Sequence, residues 1–382
     1  MKDFVYLILR QSVSPSLRFA LREWTARLSQ LAGRLCIWRW EIVRFAAQTT
    51  PSNTVIYAGR KESRKLAASL RRMPADGVLS SFSDGFLPHF ILISELPVPH
   101  ALCVPQYLST VIPTGVPLES ITNGYGSELK NLLRKQRGSY TAVKTTEPQE
   151  VDRIENTMLR PYTVARHDNE AVQLTTTTVR KFSQPEFGRL DTVFLHGEAV
   201  ACHLGCAFAH RNKRYWHSLR FGYPESVFAD RKRYSDINSM NTYMALEWAV
   251  QNGFDYYDMG ISKAIPDGGL IQWKKRRKGK LDALGNHGCF YLRLPDVGAP
   301  DFLYTSPVFS LEGNEICLHL GLPATLDSDT IKARYREMGF GGLSRLYLHC
   351  VREPSQASLT LFRNLYLQQD RPTDVKTVLH PS

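Results

Sequence analysis

A carboxylate, a tight turn and a run of cations fall within one short segment, Gly253 to Gly279, which reads GFDYYDMGISKAIPDGGLIQWKKRRKG. Phe254, Tyr256 and Tyr257 are strand-type aromatics, and the strand they predict ends in Asp258-Met259-Gly260. An acidic residue followed closely by glycine at a strand end lies at the lip of a sheet, where α/β proteins keep their sites. Asp258 there is either a proton acceptor or orienter, or a cap on the turn that follows. Beyond a Pro266–Gly269 turn come Lys274, Lys275, Arg276, Arg277 and Lys278. Lys274 and Lys275 either stabilise developing negative charge or belong to a solvated basic face. If that segment is extended, only one of the two lysines faces a cleft. A second basic cluster, Arg231, Lys232, Arg233 and Tyr234, precedes a helix expected from Ile237. Helix-start N–H groups together with cations suit a pyrophosphate.

The elements that position these residues are read from periodicity. Tyr140–Lys144 predicts a strand, and Pro148–Arg160 a helix, with Val151, Ile154 and Met158 at helical spacing and Pro161 as its stop. A strand meander follows over Asp191–His196, Glu198–His210 and Arg214–Phe221. A loop from Gly222 to Ser235 leads into the helix Ile237–Asn252, capped by Ser235 or Asp236 and closed by Gly253. Upstream, Ser127–Arg137 predicts a basic helix. Val55–Ala58, Glu62–Met73 and Phe90–Ile93 predict strand, helix and strand, before a proline-punctuated irregular region. Residues 1–47 predict a basic amphipathic helical segment, set off by a linker at 48–53. Downstream, strand Ile316–Leu320, helix Ser328–Met338 and strand Leu346–Cys350 predict a small α/β appendage, and the last dozen residues a frayed end.

The order helix, Gly253, aromatics, Asp258, small-residue turn, Asp267-Gly268, Trp273, cationic run and Gly279 resembles the FemAB/CelD-like branch of the GNAT acyltransferase superfamily. The resemblance covers about residues 125–295. Met259 stands where that branch has an aromatic residue, and Lys278 where it has Trp or Phe; either Lys274 or Lys275 takes the place of its lysine. The implied fold is α/β (α+β), a GNAT-like mixed sheet flanked by helices. It implies two GNAT-like halves, a reduced one at 48–122 and an acyltransferase domain at 123–298, with the N-terminal segment 1–47 and the appendage 299–382 outside them. The implied activity is N-acyl transfer from acyl-CoA, such as acetyl-CoA, to a small-molecule or peptide amine acceptor. Asp258 is then base or orienter for the amine, Lys274 or Lys275 stabilises the carbonyl or a phosphate, and Arg231, Lys232, Arg233 and Tyr234 bind the donor. The glycine-rich pyrophosphate loop usual in GNAT proteins is absent, which keeps aminoacyl-tRNA open as donor, as in FemAB-type enzymes. A catalytically silent adaptor in polysaccharide or cell-envelope assembly is a third reading.

Bulk properties narrow the choices. The chain has 382 residues and a net charge of +12, which favours polyanionic partners such as tRNA, a phosphorylated cofactor or an anionic membrane surface touched by residues 1–47. Its seven cysteines are scattered, without a CxxC pair, which argues for the reducing cytoplasm and against a zinc ribbon, so no metal is expected. No apolar run reaches the roughly 18 residues of a spanning helix. There is no Walker A loop, HExxH or GxSxG. His196, His210 and His217, in or beside strands, are expected to be structural.

Overall fold

The computed structural model describes residues 17, 21, 24–25, 28, 31–32, 35–36, 39–45, 55–70, 77–79, 90–167, 174–286, 288–324, 327–336, 338–366 and 374–381. Most of the N-terminal segment 1–47 and the whole 48–53 linker lie outside them. In chain order the strands are β1 (Trp40–Phe45), β2 (Val55–Arg60), β3 (Gly77–Leu79), β4 (Ile91–Ser94), β5 (Leu102–Pro105), β6 (Tyr107–Pro113), β7 (Tyr140–Lys144), β8 (Arg189–Leu195) and β9 (Glu198–His210). They continue as β10 (Lys213–Gly222), β11 (Tyr256–Lys263), β12 (Lys280–Asp282), β13 (Cys289–Arg293), β14 (Val308–Glu312), β15 (Glu315–Leu322), β16 (Leu343–Cys350) and β17 (Asp374–Leu379). The helices are α1 (Arg64–Ser69), α2 (Leu118–Thr122), α3 (Ser127–Gln136), α4 (Pro148–Ile154), α5 (Arg160–His167), α6 (Thr176–Ser183), α7 (Glu225–Phe228), α8 (Arg231–Gln251), α9 (Gly269–Arg276), α10 (Ala299–Thr305), α11 (Ser328–Tyr335) and α12 (Gln356–Tyr366).

Two compact units are present. The first contains Val111–Gly260 and Arg276–Lys278, together with the described residues up to Arg22. Its strands run in the order β11-β10-β9-β8-β7. β7 to β10 form the expected antiparallel meander, while β11 returns parallel to β10 after the α8 crossover. Strand, helices, meander, helix and strand is the order implied by the resemblance to a GNAT core. Helices α4 and α6, with the turn between α4 and α5, bury Val151, Ile154, Met158, Val179 and Phe182 against Leu190, Cys202, Leu204 and Cys206 of the sheet. Trp216, on the other face, packs on Trp248 of α8 with ring centroids 4.2 Å apart.

The sequence misplaces several boundaries in this unit. Pro161 does not end the helix that begins at Pro148; a π-helical turn, Glu155–Leu159, leads straight into α5. The wider turn lies where a proline N–H is missing from the helical ladder, so the chain absorbs Pro161 without breaking. α8 begins at Arg231, not Ile237. The Asp230 carboxylate accepts from the amides of Lys232 (2.9 Å) and Arg233 (3.0 Å), and so nucleates the helix ahead of Ser235 and Asp236.

The second unit contains Glu23–Thr110, Ile261–Lys275 and Gly279–Ser382. One sheet runs β3-β1-β2-β4-β13-β5 and another β14-β15-β16-β17. Trp40–Phe45, expected to be helical, is strand β1, paired antiparallel with β2. Its Ile-Val-Arg-Phe run suits a pleated surface, and Val43 and Phe45 point together into the core. The proline-punctuated stretch contains β5 and β6, with Pro105 and Pro113 at strand ends, where a missing N–H is tolerated. The expected appendage elements appear as β15, α11 and β16, and β14, β17, α10 and α12 join them.

Candidate functional site

The parallel pairing of β10 with β11 covers three rungs: Tyr215↔Tyr256, Trp216↔Tyr257 and His217↔Asp258. Beyond them β10 stays with β9 through a bulge at Ser218–Arg220, while β11 turns at Gly260, whose φ is +76°. The two strands therefore part at the carboxyl end of β10, where parallel sheets open their crevices. Buried Glu155, in the π-helical turn, pairs with Arg220 at 3.2 Å, and Arg220 also donates to Thr163 at 2.8 Å. These bonds anchor the later half of β10 to the helices behind it.

The last rung pairs two titratable side chains. The His217 ring nitrogen Nδ1 lies 2.7 Å from Asp258 Oδ2, and Asp258 Oδ1 accepts from the Gly260 amide at 2.8 Å. Asp258 is buried, with 4% of its side chain exposed, whereas His217 retains 23%. A carboxylate that accepts at both oxygens holds the imidazole with Nδ1 protonated and leaves the Nε2 lone pair as acceptor. Asp258 is the third residue of β11, not its last, so it does not stand at a strand end. His217, expected to be structural, is satisfied by this pairing while its ring stays partly exposed. Of Asp258's neighbours, Met259 is buried and Tyr256 is half-buried.

On the opposite face, Ser218 Oγ donates to Tyr257 Oη (2.8 Å) and so accepts from His203 Nε2 (2.9 Å). Burial pushes the Tyr257 phenol up and holds the His203 imidazole down, to about 3. Cys202 and Cys206 are buried.

The cationic block is not a uniform solvated face. Gly269–Arg276 is helix α9, not an extended segment, so Lys274 and Lys275 diverge by helical rotation. The glycines, Leu270 and Ile271 after the Pro266 turn start a helix whose buried stripe includes Ile271, Gln272 and Lys274. Lys274 is 2% exposed and its Nζ donates to the Ile261 carbonyl at 3.2 Å. Lys275 sits over the Phe340 ring, 5.2 Å from its centroid. Arg277 is also buried. Its Nη2 donates to Ser239 Oγ of α8 at 2.6 Å, and burial lowers its pKa to about 10 despite the nearby Tyr125, Tyr223 and Tyr257 hydroxyls.

The second basic cluster occupies the first turn of α8. Arg231 and Lys232 are exposed. Arg233 donates to both Glu198 oxygens at 3.0 Å. Tyr234 Oη lies 2.5 Å from Tyr162 Oη, and Arg166 stacks over the Tyr234 ring. Sequence reasoning neither paired His217 with Asp258 nor buried Arg277: strand register hides a cross-strand partner, and Arg277 is one letter in a basic run. The described residues hold no cluster of three or more potential metal ligands.

No family model matches the chain, and no curated protein matches it in sequence. Similar solved structures include FemX, with 11% identity and a TM-score of 0.36 over 69% of this chain and 91% of that one. They also include L-PGS from Bacillus licheniformis, with 10% identity and a TM-score of 0.34 over 67% and 81%. A GCN5-related N-acetyltransferase from Anabaena variabilis has 8% identity and a TM-score of 0.28 over 74% and 72%.

Proposed function

We propose that the chain is an N-acyltransferase whose donor lies in the fork between β10 and β11, with His217 taking the proton from the acceptor amine. The carrying observation is the 2.7 Å His217–Asp258 pair on the last rung before the strands part. Transfer from a thioester or ester to an amine needs positioning, stabilised carbonyl charge and one proton acceptor. A half-exposed imidazole held by a buried carboxylate suits the last role, and makes Asp258 an orienting group. Arg277, Arg231 and Lys232 supply positive charge for donor phosphates, whereas Lys274 and Lys275 lie in the second unit and are given no part in this fork.

Two donors fit. Acyl-CoA would place its pyrophosphate against the first turn of α8, the usual place for an anion. Aminoacyl-tRNA, in the manner of FemAB-type enzymes, is favoured by a specific feature: the Asp230 carboxylate already accepts from two of those first-turn amides. The net charge of +12 suits it equally well. The acceptor is a small-molecule or peptide amine, in the cytoplasm or at a membrane face.

Ligand-dependent melting separates the donors from each other and from a silent adaptor. Acetyl-CoA, longer acyl-CoAs and charged tRNA are each added in turn, and a true donor raises Tm by mass action. A shift with none of them overturns acyl transfer.

A further inference from the structure

In the first unit, the sheet face turned away from His217 carries a cavity of about 280 Å³. Its walls are aromatic: Trp216 of β10, Trp248 in the last turn of α8, Phe254 beyond that helix, and Phe187 in the loop before β8. The Phe254 ring lies 5.6 Å from Trp216 and 5.5 Å from Trp248 between centroids, so these three rings form one continuous wall. The floor is Ala207, which stands opposite Trp216 in the register of β9 and β10. Ala207 is exposed, whereas its strand neighbours Cys206 and Phe208, on the other face, are buried. A mid-strand alanine open on the face that holds Trp216 means that α8 does not cover the sheet at this end.

One charged side chain in the cavity is fixed in place. Arg189 Nε donates to both carboxylate oxygens of buried Asp191, at 2.8 and 2.7 Å. The same guanidinium lies over the Trp248 ring, 5.2 Å from its centroid. Carboxylate and indole together orient the guanidinium, and no bond to either Nη is present among the described residues. The Arg189 side chain keeps 23% of its surface exposed, so that outer N–H edge can be reached. Lys144 and Glu186, both exposed, complete the charged lining.

We infer that this cavity binds a small aromatic carboxylate, with its ring among Phe187, Trp248 and Phe254 and its carboxylate on the Nη edge of Arg189. Aromatic walls favour a flat apolar body, and a volume at the small end of ligand pockets fits one or two rings. A guanidinium already oriented by its Nε presents two parallel N–H groups, the geometry that receives a carboxylate at both oxygens. A quaternary ammonium, the other common guest of aromatic walls, would meet the positive charge already seated on Trp248. Of the two acidic groups at hand, Asp191 is taken up by Nε and Glu186 stands in solvent. Trp216 and His217 are consecutive on β10 and point to opposite faces, so a ligand here leaves the fork free. The inference therefore stands whether or not the chain transfers acyl groups.

Calorimetry of the full chain with phenylacetate and indoleacetate should show saturable binding in the millimolar range or tighter. Phenylacetamide, which has the shape without the charge, should bind about tenfold more weakly, and choline should not bind. In proton–nitrogen NMR the indole signal of Trp248 should move with the same dissociation constant. Two variants place the ligand. Ala207→Leu fills the floor without touching a polar group and should abolish binding. Arg189→Lys keeps a cation beside Asp191 but loses the planar fork, so it should weaken the carboxylates about tenfold and leave phenylacetamide unchanged. Absence of saturable binding by both carboxylates overturns the site. So does binding that leaves the Trp248 signal unmoved, or that is undiminished in both variants. Choline bound as tightly as phenylacetate overturns the choice of an anion.

Discussion

His217 and Asp258 face one another on the last hydrogen-bonded rung between two strands that then part. The carboxylate is sealed from water and the imidazole is not, so the pair divides its work: one group orients and the other meets solvent. His217→Gln should therefore lower turnover about 10²–10⁴-fold, the range for loss of a general base, with stability changed by roughly 1 kcal/mol or less. Steady-state rates and urea midpoints on the same preparations check both halves of this expectation.

Asp258→Asn tests the orienting role separately. The amide keeps the shape and can still accept from Gly260, but it sets a donor or a weaker acceptor against His217 Nδ1–H. Turnover should fall by more than the folded fraction does, because the imidazole has lost the acceptor that fixes its tautomer. Activity lost only in proportion to unfolded protein would return Asp258 to a capping role.

Gly260 carries the bend that separates the strands, at φ +76°. Its missing Cβ matters for conformation and not for space, since the nearest atoms to an added Cβ are 3.8 Å away. Gly260→Ala should cost about 1 kcal/mol in chemical denaturation. It should also lower turnover, since the same amide holds Asp258.

Much of the first unit is legible in the sequence because its strands are long and bounded by turn residues. Glu198–His210 is found with the predicted ends, and Gly253 closes its helix with φ +66°. What is not legible depends on tertiary contact. Nothing local distinguishes a buried Lys274 or Arg277 from the exposed Arg276 and Lys278, since the difference comes from which side of α9 and the following turn meets the core. His217 likewise gains its partner only through a register that joins residues 41 positions apart.

Stability should fall as the solution becomes acidic. His203 and His349 are held at about 3 and His319 well below its ordinary value, all through burial. The unfolded chain, with histidines near their usual 6.5, binds more protons than the fold between those limits, so unfolding free energy rises with pH there. Each histidine kept neutral removes about 1.4 kcal/mol per pH unit below roughly pH 6.5, and the loss ends only near the depressed folded values. Urea midpoints at pH 7.5, 6.5 and 5.5 should decline with steepening slope; a flat series would contradict the neutral buried rings.

The donor question turns on Asp230. Its carboxylate accepts from the Lys232 and Arg233 amides, the N–H groups a pyrophosphate would need. Asp230→Ala removes the cap, which should destabilise α8 by about 1 kcal/mol. It also frees those amides and removes a negative charge beside Arg231 and Lys232. With acyl-CoA as donor, calorimetry should then show unchanged or tighter binding despite the lower stability, because the ligand takes over the amides that the aspartate held. With aminoacyl-tRNA as donor, whose contacts are spread over many phosphates, affinity should change little while its steep dependence on salt persists. The companion variant Arg231→Ala/Lys232→Ala sharpens the contrast. It should weaken a bound pyrophosphate at every ionic strength tested, but reduce tRNA affinity mainly at low salt, with a shallower salt slope. If neither variant alters the affinity of any donor, the first turn of α8 lies outside the donor site, and the fork at His217 must be served from another side.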